Sequence, residues 1–273
     1  MDAAVIENVP KVDYEAVTEL ALLTGELLLA YGADTKRVEE TMEYILGTMK
    51  TGTFTVSVLS ASIFASVTPD DGTMPITMMH KISTWSADLT AVHIANDVSR
   101  KFCSGAIDVY EALDILRDTK TKAKKSNGIW KCILGYTLAT AFTALFLSYD
   151  QLMNVLAAFI CGIIMGLISY AFRRVQIRDF FVNMIMSFVA VFIAAGMIVI
   201  FRETTEMSII MGAAICPMFP GVNIVNAVRD ILHGDYVSGS GRLLEAFVKA
   251  LGMAIGTVAG TIIIVVAIVV AGV

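Results

Sequence analysis

Residues 207–228 read MSIIMGAAICPMFPGVNIVNAV, a run of 22 residues without a charged side chain. At about 1.5 Å of rise per residue, a helix of this length crosses the roughly 30 Å hydrocarbon core of a bilayer. The run also contains Pro217 and Pro220, which have no backbone N–H, and Gly221, which adds backbone freedom at the same place. We therefore expect a membrane-spanning helix that is broken near its middle.

Four further uncharged runs of similar length flank this stretch. They are Cys132 to Tyr149, Gln151 to Phe172, Phe180 to Phe201 and Ala250 to Val273. The chain of 273 residues is 56% hydrophobic and only 16% charged, with a mean hydropathy of +0.73, which is too apolar for an ordinary soluble domain. The sequence predicts a multi-pass α-helical membrane protein with five transmembrane helices, of which the fourth is broken at Pro217 and Pro220.

Charged residues are concentrated before the first apolar run. Residues 1–127 contain 12 Lys+Arg and 18 Asp+Glu, whereas residues 128–273 contain 8 and 7. We predict an N-terminal α+β cytoplasmic domain in residues 1–127 and a five-helix transmembrane domain in residues 128–273. The net charge of −5 argues against binding of nucleic acid, because contacts to phosphates need a basic surface.

Basic residues in the connections between the apolar runs predict the orientation in the membrane. Summed over alternate sides, Lys and Arg number eleven on the side of residues 1–127 and one on the other side. The N-terminus is therefore expected in the cytoplasm and the C-terminus outside. Residues 1–10 lack the basic start of a cleaved signal peptide, and the lysine-rich residues 119–127 fit a contact with lipid headgroups.

The predicted break in the fourth helix brings polar groups to membrane depth. Freed backbone carbonyls and the carboxamides of Asn223 and Asn226 suit a polar solute or an ion, and transporter sites are often built at such interruptions. The alternative is a proline kink satisfied by neighbouring helices, in which the asparagines form hydrogen bonds between helices. The sequence leaves both interpretations open.

The fifth apolar run has glycines at steps of four. Gly252, Gly256 and Gly260 form a face without side chains, against which another helix can pack closely. Its partner is expected to be either another helix of the chain, namely the fourth, or a second subunit. Glu245 and Lys249 precede this face at a spacing that favours an ion pair on one side of a helix.

The N-terminal domain begins with a helical pattern. Residues 12–31 have apolar side chains at steps of three and four and end before Gly32, the residue type best suited to a left-handed helix end. Asp34 is suited to cap the N-terminus of a second helix, which ends near Gly47.

A β pattern follows these two helices. Residues 53–68 are rich in β-branched and apolar side chains, and residues 69–72 provide a turn before the alternating residues 75–82. They predict a β-hairpin or part of a small sheet. Residues 89–102 and 107–116 predict two more helices.

Residues typical of catalysis or metal binding are sparse. The four cysteines are widely spaced, and the sequence has no Cys-x-x-Cys pair. His80 and His93 each stand alone, without a second ligand at metal-binding spacing. Phosphate-loop, Gly-x-Ser-x-Gly and His-Glu-x-x-His motifs are also absent from the sequence. We expect no enzymatic activity, no cofactor and no bound metal.

Two segments resemble the bacterial and archaeal threonine/serine exporter family, whose members include two-subunit succinate exporters. Residues 25–39 read GELLLAYGADTKRVE, similar to the family's N-terminal helix–turn–helix with its Gly-Ala-x-Thr-x-Arg-Val-Glu core. Pro217-x-x-Pro220-Gly221 and the polar residues that follow it up to Arg242 are similar to the family's fourth-helix break and the loop after it. The resemblance covers nearly the whole chain.

This resemblance implies the export of a small polar metabolite across the plasma membrane, driven by an ion gradient. The solute it implies is a threonine/serine-type amino acid or a dicarboxylate such as succinate. Fused members of the family continue into a second block of membrane helices. We therefore expect the chain, besides the lipid bilayer, to have a smaller membrane subunit or further copies of itself as partners.

Candidate residues follow from the broken helix and from the resemblance. Those expected to bind the substrate are Pro217, Pro220, Gly221, Asn223, Asn226, Arg229, Asp230 and Arg242. Those expected to act in gating or assembly are Gly32, Arg37, Glu39, Gly252, Gly256 and Gly260. We expect Arg229 or Arg242 to attract the solute carboxylate, since a guanidinium group suits either class of solute.

Two other functions compete with export. The first is a non-transporting membrane sensor or scaffold, whose cytoplasmic domain binds a partner and whose helices only anchor it. An unbroken fourth helix would favour that interpretation. A membrane enzyme is the second, and the missing nucleophile and metal motifs argue against it.

Overall fold

A computed structural model describes the chain over residues 13–82, 88–125, 128–149, 151–173, 177–201 and 206–271. The chain divides into two compact units. The first contains Met1–Lys124 together with Asn226–Gly241, and the second contains Lys125–Val225 together with Arg242–Val273. Residues 1–10, Arg174 and Arg202, on which the predictions about the N-terminus and the orientation partly rest, lie outside the described residues.

The first unit begins with two helices at the predicted positions. They are α1 (Tyr14–Ala30) and α2 (Thr35–Gly47). The Asp34 side chain accepts a hydrogen bond from the Arg37 N–H and caps α2, as predicted. α1 is buried on nearly all sides, and its leucines between Leu20 and Leu29 lie at the centre of the apolar core of this unit.

Three antiparallel strands follow, in the order β1-β2-β3. They are β1 (Thr53–Leu59), β2 (Ser62–Thr68) and β3 (Ile76–Lys81), and they confirm the small sheet. The run 53–68 is itself a hairpin, in which Leu59 pairs with Ser62. The sequence showed no turn there because residues 60 and 61 are Ser and Ala, without the Gly, Pro or Asn that marks most tight turns.

Two further helices complete the N-terminal part of this unit. They are α3 (Leu89–Cys103), which is capped by the Asp88 side chain, and α4 (Val109–Lys125). α4 extends well beyond the predicted end at residue 116. Its second half is polar, and pairs such as Lys122 with Asp118, four residues apart and 2.5 Å between charged atoms, favour continued helix.

The second unit begins with three long apolar helices. They are α5 (Ile129–Leu147), α6 (Leu152–Arg173) and α7 (Asp179–Phe201), and each is long and apolar enough to cross a membrane. Trp130 and Tyr149 are exposed at the two ends of α5, where aromatic side chains favour the interface between lipid and water.

α5 and α6 approach each other closely at glycines of α6. A Cβ atom added at Gly162 would lie 2.7 Å from the Thr137 Cα atom, and one added at Gly166 would lie 2.7 Å from the Ile133 Cα atom. The Thr140 hydroxyl donates to the Ala158 carbonyl across the same contact at 3.0 Å. This packing of small residues is typical of membrane helices.

The predicted fourth helix is broken as expected. α8 (Met207–Ile215) continues into a 3₁₀ turn (Cys216–Met218), and after Pro220 the chain enters α9 (Gly221–Leu232) at an angle of 55°. The described residues thus contain four helices that could each span a membrane, or five such segments if the bent pair is one span.

The last helix, α10 (Tyr236–Ala271), has 36 residues and starts well before the predicted Ala250. The charges that delimited the apolar run do not end the helix. Lys249 forms the predicted ion pair with Glu245 at 2.7 Å, and it also contacts Asp179, the first residue of α7, at 2.8 Å. Paired charges at helical spacing are compatible with continuous helix.

Candidate functional site

The turn between α1 and α2 is built from Gly32, Ala33 and Asp34. Gly32 has a φ of +112°, which other residues rarely adopt, and the Ala33 N–H donates to the Leu28 carbonyl at 2.9 Å. This geometry ends α1 as predicted. It also leaves the Gly32 carbonyl oxygen and one carboxylate oxygen of Asp34 available to a distant segment of the chain.

That distant segment is α9, which contributes three polar side chains. The Asn226 amide donates to the Gly32 carbonyl at 3.1 Å, and the Arg229 guanidinium donates to Asp34 Oδ2 at 3.0 Å. The Asp230 carboxylate accepts from the N–H and the hydroxyl of Thr35 at 3.3 and 2.9 Å. We call these three contacts the α9 clasp. All of its residues belong to the first compact unit.

Asp34 holds two positions in the clasp at once. Its Oδ1 accepts from the Arg37 N–H at 3.0 Å as the helix cap, while its Oδ2 accepts from Arg229. Burial alone raises the pKa of Asp34, but the Arg37 N–H and the Arg229 guanidinium outweigh it, so that the pKa is lowered. Asp34 is therefore a carboxylate at neutral pH, and its bonds to both partners are charge-assisted.

The clasp contains side chains of very different accessibility. Asp230 is fully buried, and Asn226 is nearly so. The Arg229 side chain, in contrast, is 52% exposed although its guanidinium contacts Asp34. Arg229 is thus the member of the clasp that a solute in water can reach.

Glu39 and Arg37, also predicted to act in gating or assembly, lie further along α2. Glu39 accepts a hydrogen bond from the Val58 N–H at 3.1 Å and so occupies a donor on the free edge of β1. Burial raises the pKa of Glu39, and the nearby carboxylates of Asp235, Glu43 and Asp230 raise it further, against a smaller opposing effect of the Val58 bond. The Arg37 side chain is exposed and forms no ion pair within the described part of the chain.

The break between α8 and α9 provides a second polar position, besides the α9 clasp. Pro217 lies in the 3₁₀ turn, Pro220 is buried, and Phe219 between them is 56% exposed. Asn223 follows in the first turn of α9 and is half-buried, and its amide forms no hydrogen bond to another described residue. A free carboxamide beside an interrupted helix can bind a polar solute.

The predicted substrate-binding residues therefore form separate groups. Pro217, Pro220, Gly221 and Asn223 belong to the break in the second unit, and Asn226, Arg229 and Asp230 belong to the clasp in the first. Arg242 lies on α10, again in the second unit, with only 3% of its surface exposed. Of the two arginines considered for solute capture, the accessible one is Arg229.

The glycine face of α10 packs within the chain. A Cβ atom added at Gly252 would lie 2.6 Å from the Phe180 carbonyl oxygen, and one at Gly260 would lie 3.1 Å from the Val191 Cβ atom. At Gly256 it would overlap the Met184 carbonyl and the Ser187 hydroxyl. All four partner residues belong to α7, so the expected contact with the fourth helix is wrong, and the face is filled without a second subunit.

Sequence reasoning missed an ionic cluster in the first unit. The His80 Nδ1 atom lies 2.9 Å from Glu26 Oε2, and the Lys120 ammonium lies 2.5 Å from Glu26 Oε1. Burial raises the pKa of Glu26, but the bonds and charges of His80 and Lys120 together lower it. His80 thus has a partner on α1 that its solitary position in the sequence does not indicate. The signal for this contact lies in the strand pairing. His80 is opposite the buried Ile63, so the His80 side chain lies on the face of the sheet that is turned toward α1.

A buried amide also escaped prediction. Asn154, fully buried near the start of α6, donates to Ser148 and Gln151 and accepts from the Glu206 N–H at 2.9 Å. These bonds join the end of α5, the start of α6 and the residue before α8. Within the described residues, no cluster of three or more His, Cys, Asp or Glu side chains has a geometry that could hold a metal ion.

Comparisons with known proteins identify the family of the chain. A family model described as "Putative threonine/serine exporter" matches residues 19–264. The chain is 22% identical over 237 residues to a protein of Mycobacterium tuberculosis (strain ATCC 25618 / H37Rv) named "Probable threonine/serine exporter". The alignment covers 87% of this chain and 44% of that protein, so the chain spans less than half the length of this relative. No solved structure matches the chain.

Proposed function

The chain belongs to the threonine/serine exporter family, and from this premise we propose that it forms part of a membrane exporter for a small polar solute with a carboxylate. The family model matches residues 19–264, a range that includes both segments on which the resemblance rests. Transport, and not catalysis, is the activity that membership in this family supports.

We propose a threonine/serine-type amino acid as the first candidate solute and a dicarboxylate such as succinate as the second. The family description favours the amino acid. An ion gradient is the proposed energy source, since the sequence has no Gly-Lys-Ser/Thr phosphate loop for ATP. We also retain the plasma membrane as the location, with the N-terminus in the cytoplasm, on the basis of the distribution of Lys and Arg.

The break between α8 and α9 is the proposed solute position. Pro217 and Pro220 interrupt the helix, and Asn223 presents a carboxamide that no other described residue engages. A carboxamide can accept from an ammonium or a hydroxyl and can donate to a carboxylate. These are the groups of a hydroxylated amino acid. The 55° bend at this point is the observation that most favours export over a sensor or scaffold, for which an unbroken helix is expected.

The α9 clasp is the proposed gate. Its contacts fix the second half of α9 to the turn at Gly32, and α9 begins at the break. A solute carboxylate can compete with Asp34 for the exposed Arg229 guanidinium, because both are bidentate acceptors of the same type. Binding of solute would then weaken the Asp34–Arg229 pair and free α9 to move. In this proposal, Asn226 and Asp230 position the helix, and Arg229 contacts the solute.

Further membrane helices are proposed to complete the path. The matched relative is more than twice as long as the segment it shares with this chain. Transporters of this general kind bind their solutes between repeated halves. The completing helices are either part of the same polypeptide or belong to a smaller subunit.

Efflux from the native host tests this function, because every partner is then present. Cells with the chain deleted, and cells with it restored, are loaded with labelled threonine, serine or succinate. We expect restoration to increase the efflux of one of these solutes. Equal efflux of all three in both strains would contradict the proposal.

The solute position is tested with Asn223→Ala in the restored strain. Loss of one hydrogen bond to the solute should raise the apparent KM for efflux by about tenfold, the equivalent of roughly 1.4 kcal/mol. Asn183→Ala is the matched control, since Asn183 is also a half-buried amide in an apolar helix, α7. An equal effect of both substitutions on KM would place the solute elsewhere.

A further inference from the structure

One buried hydroxyl in the second unit has no hydrogen-bond partner among the described residues. It belongs to Thr137 of α5, which has 3% of its surface exposed. The other buried threonines of the described residues all have hydrogen-bonded hydroxyls, and they are Thr18, Thr24, Thr35, Thr119 and Thr140. A hydroxyl buried without a partner costs free energy, and a bound molecule can remove that cost.

The face of α5 that carries Thr137 lies against α6 and α8. Thr137 precedes Ala144 by seven residues, about two helical turns, so both side chains lie on nearly the same side of α5. Ala144 is buried in one cluster with Ala158 of α6 and Ala213 of α8. A Cβ atom added at Gly162 of α6 would lie 2.7 Å from the Thr137 Cα atom. Thr137 therefore lies along the same groove beside α6 that α8 fills at Ala144.

α8 ends near the level of Thr137. A Cβ atom added at Gly212 would lie 3.8 Å from the side chain of the last residue of α5, and the 3₁₀ turn after α8 packs against α5 as well. The two helices therefore run in opposite directions. From Ala144 to Thr137, α5 extends by about 10 Å, and the seven residues from Ala213 to Pro220 cover a similar distance. Thr137 is thus level with the break between α8 and α9.

The surroundings of Thr137 are uncharged. The described residues of α5 after Lys131, of α6 before Arg173 and of the whole of α8 include no Asp, Glu, Lys or Arg. The buried side chains of the cluster between these helices, such as Cys161 and Met218, are apolar. A hydroxyl in such surroundings suits a neutral hydroxyl better than a charged group, because burial of an unpaired charge costs far more.

We propose that Thr137 binds the side-chain hydroxyl of the exported amino acid and is a determinant of solute specificity. The inference rests on the proposed function and adds a residue of α5 to the solute position at the break. Since the Thr137 hydroxyl is buried, the solute reaches it after α9 has moved. A solute without a hydroxyl leaves Thr137 unpaired, and the exporter therefore prefers threonine and serine to apolar amino acids of the same size.

Thr137→Val tests this assignment, because valine has the shape of threonine without the hydroxyl. The variant is produced in the native host that lacks the original chain, and efflux of labelled threonine and of labelled valine is measured above the background of the deletion strain. We expect the unsubstituted chain to export threonine about tenfold faster than valine at equal internal concentration, and Thr137→Val to reduce this ratio to about one. Thr137→Ser keeps the hydroxyl and should keep most of the ratio.

Thr140→Val is the matched control on the same helix. The Thr140 hydroxyl is also buried, but it donates to the Ala158 carbonyl at 3.0 Å. Its loss should lower the melting temperature by a few degrees and leave the threonine-to-valine ratio unchanged. Thr137→Val removes no hydrogen bond within the described part of the chain, so its melting temperature should be equal or higher. A melting temperature as low as that of Thr140→Val would show a structural partner for Thr137 and overturn the proposal.

The efflux measurements distinguish failure of this inference from failure of the proposed function. If the unsubstituted chain exports none of threonine, serine and succinate, the proposed function is wrong. If it exports succinate alone, or exports threonine and valine equally, export stands and the role of Thr137 is overturned. An unchanged threonine-to-valine ratio in Thr137→Val has the same meaning.

Discussion

The α9 clasp and the contact between α7 and α10 join distant parts of the chain by opposite means. The clasp consists of directional polar bonds, one of them an ion pair with a half-exposed arginine. The α7–α10 contact depends on missing side chains at Gly252, Gly256 and Gly260, and the backbone of α7 fills the space. Polar bonds can be exchanged for bonds to a solute or to water, whereas close packing can only be kept or lost. The clasp is therefore the contact that we propose to move, and the α7–α10 contact is the one that we expect to stay packed.

The largest expected effect is that of Gly256→Leu. A side chain at this position overlaps the Met184 carbonyl, which is backbone and cannot turn away. We expect a loss of about 3 kcal/mol or more in the free energy of unfolding, or no folded protein in the membrane. Thermal unfolding monitored by fluorescence-detected gel filtration measures this.

Gly135→Leu on α5 is the control for this prediction. No atom lies within 4 Å of a Cβ atom added at Gly135. If Gly256→Leu is as stable as this control, α7 and α10 do not pack as described. The expectation that the α7–α10 contact is rigid would then be wrong.

The next largest effect is expected from Asp34→Ala, which removes a helix cap and the partner of Arg229 together. We expect a destabilisation of about 2 kcal/mol, of which roughly half comes from the cap and half from the partly exposed ion pair. Asp88→Ala should cost only about 1 kcal/mol, because Asp88 caps α3 in the same way without an arginine. Equal losses in chemical denaturation would mean that the Arg229 contact contributes nothing to the clasp.

A smaller, pH-dependent effect distinguishes two carboxylates of the same helix. The folded-state pKa of Asp34 lies below its ordinary value of 3.8, so its contribution to stability is present above that value and is lost as the pH falls through the folded-state pKa. The folded-state pKa of Glu39 lies above 4.5, so the stability of the fold decreases as the pH rises through and above that value.

Opposite substitution effects follow for these two residues. At pH 7, Asp34→Asn should lower the melting temperature and Glu39→Gln should raise it. Both differences in melting temperature from the unsubstituted protein should become smaller when the pH is below the ordinary pKa values of the two carboxyl groups. Melting curves of the three proteins over a pH series measure this. A lower melting temperature for Glu39→Gln at pH 7 would show that the carboxylate stabilises β1 more than its burial costs.

The smallest expected effect on stability is that of Arg37→Ala. Its exposed side chain has no ion pair among the described residues, and the N–H that donates to Asp34 is kept in alanine. The free energy of unfolding should change by less than about 0.5 kcal/mol. Loss of efflux with normal folding and insertion would then support the predicted role of Arg37 in gating, and a loss of expression would oppose it.

Features that depend on local sequence were predictable. The left-handed conformation at Gly32, the cap at Asp34 and the break at Pro217 and Pro220 each follow from the backbone chemistry of one or two residues. The long apolar runs likewise predicted α5, α6 and α7 within a few residues. The predicted start of α10 was wrong, because Glu245 and Lys249 pair with each other and do not end the helix.

Pairings between distant segments were not predictable from one sequence. Asp34 and Arg229 are 195 positions apart, and no periodicity relates them. The glycine face of α10 was recognised, but a face without side chains is compatible with any helix, and its partner α7 could not be chosen. Asn226, Arg229 and Asp230 were assigned to the solute because polar residues near a break suggest a site. Their bonds to the turn at Gly32 suggest a gate as well.

The composition of the first unit affects how the protein is synthesised. This unit needs residues 226–241, which leave the ribosome about 100 residues after Lys124. At ordinary rates of translation, roughly 5–20 residues per second, the delay is about 5–20 s. During this time α1–α4 can form, but Asp34 does not yet have Arg229 as a partner. The apolar helices between the two segments must already be entering the membrane. Completion of the first unit thus follows synthesis of the apolar helices α5–α8, and Asp34 gains its Arg229 partner only at that late stage.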